Sequence, residues 1–220
     1  MIAPTRLKIL SAGSGGTGKS CLIKRFFNNF NFLFSLILIY NNLFIRFCEE
    51  RFVSKYIATI GVDYGVKPCT INGMDVRVNF WDLSGHEEFF EIRNEFFKDT
   101  QGILLVYDAS SRESFDDLDK WLAEATKYGA NPKGIQFFTT TTSNTTTYNK
   151  IKYFFYNFIE IPTVLCCNKV DKKRLISEDE GKQYANARGL TYFETSAATG
   201  NNVNEMFDFL FQSVLYRIKQ

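Results

Sequence analysis

Residues Gly13-Ser14-Gly15-Gly16-Thr17-Gly18-Lys19-Ser20 fit G-x-x-x-x-G-K-[ST], and the chemistry this spacing supports is phosphate binding. The backbone N–H groups of such a loop, together with the N-terminus of the helix after it, cradle phosphate oxygens. Lys19 would neutralise β and γ oxygens, the Ser20 hydroxyl would ligate Mg2+, and Cys21 ends the candidate nucleotide-binding segment. Alone, the pattern says nucleoside triphosphate and not which one, and a glycine turn that merely packs is the bland alternative.

Three further segments narrow the chemistry. Trp81-Asp82-Leu83-Ser84-Gly85-His86-Glu87 places D-x-x-G at the end of an apolar strand, where Asp82 would hold magnesium through water and the Gly85 N–H would meet the γ-phosphate. Standing alone, it reads better as an ordinary turn. Asn168-Lys169-Val170-Asp171 follows a buried strand, and the Asp171 carboxylate can accept from guanine N1–H and its exocyclic amine. Adenine does not present those donors, so a site built for them discriminates strongly. Glu194-Thr195-Ser196-Ala197 adds small residues and a backbone N–H, from Ser196 and Ala197, for guanine O6.

These loops need strands behind them. Apolar runs at Leu7 to Ala12, Gly102 to Asp108, Pro162 to Asn168 and Thr191 to Glu194 read as strands, the middle two as buried parallel ones. Val62 to Ile71 and Asp75 to Asp82 form a hairpin around Asn72-Gly73. Helices are expected over Cys21 to Arg25, Glu87 to Lys98, Glu113 to Lys127, Ser177 to Arg188 with Ser177 as cap, and Asn202 to Ile218. Repeated β-α units with one hairpin imply an α/β doubly wound sheet.

The 220 residues amount to one domain. A net charge of +2 gives no footprint for nucleic acid, and 45% hydrophobic residues exclude wholesale disorder. The cysteines Cys21, Cys48, Cys69, Cys166 and Cys167 form no ligand set, and His86 is the sole histidine, so neither a zinc site nor a disulfide framework is expected. No signal peptide is read in Met1 to Leu10, and the longest apolar stretch, Phe32 to Tyr40, is too short to span a bilayer. The expected location is cytoplasmic, with nuclear or peripheral membrane association through partners.

With its four elements in this order, the chain resembles the Ras superfamily, and Arg51 to Tyr64, containing Phe52-Val53-Ser54-Lys55-Tyr56 and Thr59-Ile60-Gly61, looks like a Rab-type switch segment. Phe52 to Tyr56, Tyr64-Gly65-Val66, Gly85-His86 and Arg93 to Gly102 look closer still to the Rbj group, Rab-related GTPases often joined to a DnaJ domain. The resemblance implies a P-loop NTPase small G domain: a mostly parallel six-stranded sheet with one antiparallel strand and helices on both faces. It implies a GTP/GDP switch with slow Mg2+-dependent hydrolysis, Lys19, Thr59, Gly85 and His86 catalytic, Ser20 and Thr59 on the metal, and Phe52 against the guanine. Effectors, exchange factors and GTPase-activating proteins are the implied partners of a monomer, with Val62, Trp81 and Phe89-Phe90 as effector-facing candidates. Each could equally be core.

Three departures matter. His86 stands where most of the superfamily has a glutamine that orients water, though histidine is expected in the Rbj group. An imidazole can donate and accept together only when neutral, which implies slow hydrolysis; a surface histidine without a catalytic part is the alternative, as is a GTP-binding interaction module with negligible turnover. Leu215 to Gln220 holds no cysteine, so no prenyl anchor is expected, and His86-Glu87 is not the His-Pro-Asp signature of a DnaJ domain. An ATPase or nucleotide kinase fits the Asn168 to Asp171 element poorly.

Two stretches break the rhythm. In 26–46, 19 of 21 residues are Phe, Asn, Leu, Ile or Tyr, and in 134–159, 23 of 26 are Phe, Thr, Ile, Asn, Lys or Tyr. Their codons, threonine's apart, are A/T-rich, and deleting 26–46 restores the superfamily's spacing between the loop helix and the switch segment. Both read as introns retained in frame, which predicts extruded, poorly packed segments; genuine loop insertions are the alternative. The sequon at Asn144 is read as chance.

Overall fold

The computed structural model describes residues 4–28, 58–132 and 160–219. Strand β1 (Thr5–Ala12) leads into helix α1 (Lys19–Asn28), and β2 (Val62–Ile71) and β3 (Met74–Leu83) form the hairpin. Asn72 and Gly73 both have positive φ, 50° and 75°, as a two-residue hairpin turn matching the twist of its strands requires. Then come β4 (Gly102–Asp108), β5 (Thr163–Asn168) and β6 (Thr191–Glu194). They assemble into one six-stranded sheet in the order β2-β3-β1-β4-β5-β6, parallel except for β2 against β3.

Side chains alternate between two cores, as a period of two dictates. Leu7, Ile9, Leu104, Val106, Val164 and Cys166 face one side; Leu10, Ala12, Ile103, Leu105, Leu165 and Cys167 face the other. The first side is covered by α1 and by the terminal helix α6 (Val203–Ile218), through Leu22, Phe207 and Phe211. The second is covered by α3 (Arg112–Asp116), α4 (Leu118–Lys127) and α5 (Glu178–Ala187), through Phe115, Leu118, Leu122 and Ala185. Ser177 caps α5 as expected, its hydroxyl accepting from the Glu180 N–H at 3.1 Å.

Three expectations are corrected. Glu87 to Lys98 is not one helix: a 3-10 turn over Glu87–Phe89 gives way to the short α2 (Phe90–Asn94). Arg93 and Asn94 are buried there, and the tertiary partners of Arg93 override the local preference for a longer, solvated helix. Glu113 to Lys127 is interrupted at Asp117, whose carboxylate bonds Ser14 and Lys120. Phe26 and Phe27, placed by sequence in the first anomalous stretch, belong to α1, and Phe26 is buried with its ring centroid 4.5 Å from Phe207 and 5.5 Å from Phe211. Residues 29–46 and 134–159, and with them the expected extrusion, lie outside the described residues, as does Phe52. Among the described residues no helix is long and apolar enough to cross a membrane.

Lys67 closes the C-terminal end of α1: its ammonium sits 3.4 Å from the Phe26 ring centroid and donates to the Phe26 carbonyl. Burial pushes it down to about 8, against the opposing charges of Cys69 and Asp208. Above pH 8 the unfolded chain, with an ordinary lysine, holds this proton while the folded chain sheds it, so stability rises with pH there; Lys19, pushed to about 8, acts in the same sense. Urea unfolding should show stability rising between about pH 8 and 9, with a slope shallower by up to ~1 kcal/mol per pH unit in Lys67→Met. An unchanged slope would contradict the assignment.

Candidate functional site

Every loop singled out by sequence leaves the sheet at the carboxyl ends of β1, β3, β5 and β6, the edge where open α/β sheets bind ligands. The glycine loop runs from Gly13 and turns into α1 at Lys19, whose buried ammonium donates to the Gly13 carbonyl at 2.6 Å and the Ser14 carbonyl at 3.1 Å. Gly18 has φ 94°, and a Cβ there would lie 2.4 Å from Asn168 Nδ2. Only glycine allows both the conformation and the approach.

Asn168 is fully buried and ties three loops together. Its amide donates to the Thr17 carbonyl at 2.8 Å, while its carbonyl accepts from the Ala197 N–H at 3.2 Å and the Thr195 hydroxyl at 3.3 Å. Lys169, in the left-handed region at φ 63°, reaches back to the Gly16 carbonyl and to Asp108, both at 2.6 Å. Burial alone would raise the Asp108 carboxyl, but the bonds from Lys169 and Ser110 outweigh it and hold it below the usual carboxylate range. Asp171 is exposed, with Oδ1 accepting from the Ser196 hydroxyl at 2.5 Å.

A second cluster gathers oxygen ligands beside the loop. The Ser20 hydroxyl is 2.9 Å from that of Thr59 and bonds the Asp82 carboxylate, whose other oxygen accepts from Ser11 at 2.5 Å. Burial raises the Asp82 carboxyl, with Lys19 and the two serine hydroxyls opposing. Among the described residues no group of three His, Cys, Asp or Glu could hold a metal. Two hydroxyls and one carboxylate suit Mg2+ instead, since that hard cation takes few protein ligands and completes its shell with water and phosphate.

The turn after Asp82 presses on the loop from the other side. A Cβ at Gly85 would be 2.3 Å from the Gly15 N and 2.4 Å from the Ser14 carbonyl carbon, so no side chain fits there. His86 lies against Gly15, where an added Cβ would be 3.1 Å from its Cε1. Gly13 to Cys21, Thr59, Asp82, Gly85, His86, Asn168, Lys169, Asp171, Ser196 and Ala197 thus line one edge of the sheet. The aromatic candidates divide. Trp81 packs between Tyr64 and Phe96, ring centroids 4.4 and 4.9 Å away, and Tyr64 and Val66 on β2 are exposed. Phe90 turns instead to Tyr128, 5.9 Å away.

The sequence reading missed Asp108, Arg93 and the ties behind the loop. Ser14 Oγ donates to Asp117 Oδ2 at 3.1 Å and accepts from Trp121 Nε1 at 3.3 Å. The signal was present as Asp117, Trp121 and Glu124, spaced to share one helical face.

A family model for the Ras family matches residues 41–216. The chain belongs to the Ras family. It is 42% identical over 212 residues to a rat protein named DnaJ homolog subfamily C member 27, covering 96% of this chain and 62% of that protein. The human protein of that name is 41% identical over the same length, and the zebrafish one 39% identical over 211 residues, 95% of this chain and 61% of that protein. The chain therefore spans under two thirds of these relatives, which bear out the expected likeness to the Rab-related, DnaJ-associated group within the Ras family. The six-stranded, mostly parallel sheet is the small G domain expected.

Replacing Asn168 by Ala would strip the Thr17 carbonyl and the Ala197 N–H of this partner in the interior and leave the Thr195 hydroxyl with Cys166 Sγ alone. The expected cost is about 2–5 kcal/mol, read as a melting temperature lower by roughly 5–15 °C. A drop under about 2 °C would contradict the tie.

Proposed function

We propose that this Ras-family domain is a guanine-nucleotide switch: it binds GTP and GDP with Mg2+ and hydrolyses GTP slowly. The observation that carries the reading is the bonding of the Asn168-Lys169 loop to the phosphate loop, with Asp171 held by Ser196 beside it. A base seated on Asp171 and a triphosphate seated on Gly13 to Ser20 are thereby held at a set separation. Lys19 and the loop N–H groups stabilise charge developing on the phosphoryl oxygens, and Thr59 contributes its hydroxyl and N–H to order the switch. Ser20 and Thr59, with Asp82 through water, would hold Mg2+, which would supply neutralisation of phosphate charge. His86 lies against Gly15 and occupies the position where most of the superfamily has the glutamine that orients an attacking water, and its ring is bulkier than a carboxamide arm. That crowding also favours the second reading, a GTP-dependent interaction module with negligible turnover. Exposed Tyr64, its ring packed on Trp81, and exposed Val66 two residues further along β2 support an effector surface.

We also propose that 26–46 and 134–159 are retained introns, leaving a 173-residue domain (220 − 21 − 26). Two observations support this. Arg25-Phe26 and Arg46-Phe47 repeat, so excising 26–46 or 27–47 yields the same chain, with a phenylalanine after Arg25 in either case. Ile161 N donates to the Asn131 carbonyl at 2.8 Å and Ile161 pairs with Pro132, so the chain flanking the second stretch is already closed. Transcripts retaining both stretches would overturn this.

Asp171→Asn tests the switch reading. The amide offers a donor in place of an acceptor, so competition binding should show GTP affinity falling about a hundredfold or more while xanthosine triphosphate affinity rises, on the order expected where a specific hydrogen-bonding partner is mismatched. An unchanged guanine preference would remove the base assignment.

A further inference from the structure

Behind the phosphate loop, a cleft of about 950 Å3 lies between the Gly85-His86 turn, α2 and the α4 face. One buried cation at its wall has no role in the nucleotide site described above. Arg93 pairs with Glu124 through two parallel bonds, Nε to Oε1 at 2.6 Å and Nη2 to Oε2 at 2.8 Å, with both side chains nearly excluded from solvent. Its guanidinium lies 4.4 Å from the Trp121 ring. Its remaining reach is spent on backbone: Nη1 donates to the His86 carbonyl at 2.8 Å and, more weakly, to the Ser84 carbonyl at 3.4 Å.

Those two carbonyls bracket Gly85, on the turn that carries His86. The same α4 face holds the phosphate loop from behind, Asp117 and Trp121 bonding Ser14 Oγ while Glu124 orients Arg93. Trp121 touches both arms. The loop and the turn are therefore not positioned independently; each is referred to one rigid helical face at spacings of four and seven residues from Asp117. A charged, planar fork is needed to do this, because it must satisfy a buried carboxylate and a carbonyl at once.

We infer that Arg93 is a positioning residue: anchored by Glu124 and Trp121, it holds the His86 backbone so that the imidazole stays against Gly15 of the phosphate loop. It touches neither phosphate nor base and sets hydrolysis through the turn, a consequence that rests on the switch reading above. The positioning itself does not.

His86 is the sole histidine, so its Cε1–H gives one assignable signal in the proton spectrum of the full chain. Removing the guanidinium strands a buried carboxylate, so Arg93→Ala is paired with the milder Glu124→Gln, which leaves the arginine in place without its charged anchor. In the GDP-loaded wild type, an Overhauser contact between His86 Cε1–H and a Gly15 Hα is expected. It should vanish in Arg93→Ala and weaken in Glu124→Gln. In single-turnover assays the first should hydrolyse GTP at least tenfold more slowly and the second about threefold, with GDP release changed less than twofold. Millimolar guanidinium chloride should restore part of the Arg93→Ala rate and the lost contact.

An Overhauser contact that survives in Arg93→Ala overturns the inference. So does a loss of melting temperature and nucleotide together in Arg93→Ala, with Glu124→Gln unchanged in every readout, since that is the behaviour of a structural ion pair. A wild type that hydrolyses nothing would count against the switch reading alone, because the contact and its loss in the variants are measured in the GDP state.

Discussion

The site depends on one buried carboxamide. Asn168 stands at the end of β5 with no access to solvent, and it joins its own loop to the loop after β1 through its donor and to the loop after β6, at Ala197 and Thr195, through its acceptor. A sheet edge alone would leave these three loops as separate excursions with free backbone groups. Because a buried amide must satisfy both of its ends, the loops can settle only where Thr17, Ala197 and Thr195 all reach Asn168. Gly18 is glycine for that reason, and Lys169 adopts a left-handed backbone to return to Gly16. The separation between the phosphate loop and Asp171 follows from this tie.

A second constraint comes from the opposite face of the loop. The α4 surface receives Ser14 directly and the Gly85-His86 turn through Arg93, so the loop lies between two polar networks of different character. The Asn168 network is neutral and fully enclosed. The Arg93 network is ionic, borders an open cleft and joins a short helix to a turn. The carbonyl of His86 is thus tied to Arg93, while the loops around Asn168 are tied to one another without it.

Much of this was legible in the sequence because the decisive signals are local. Val62 to Ile71, Gly102 to Asp108 and Thr191 to Glu194 have the residue limits read for them, and Asn72-Gly73 placed the antiparallel pair. The loop residues were legible because glycine, lysine and asparagine at fixed spacings have few other uses. What was not legible depends on partners far apart in the chain. Nothing near Arg93 marks it as buried, and a helix over Glu87 to Lys98 was the natural reading until Glu124 is seen to draw the guanidinium inward. Phe26 looked like part of an anomalous run because its neighbours are so biased; its contacts with Phe80, Phe207 and Phe211 come from the positions in space of two other elements, β3 and α6. The tether of Lys169 by Asp108 was hidden in the same way, across β4 and β5.

The central claim is that the two ends of this edge read one molecule, guanine at Asp171 and phosphates at Gly13 to Ser20. Equilibrium binding of fluorescent GDP and ADP analogues to the full 220-residue chain, with Mg2+ and with chelator, tests it most directly. The account predicts GDP binding at least a thousandfold tighter than ADP, on the scale of a site built around specific hydrogen bonds, and weakened by chelation. Equal affinity for the two nucleotides, or none for either, would contradict it.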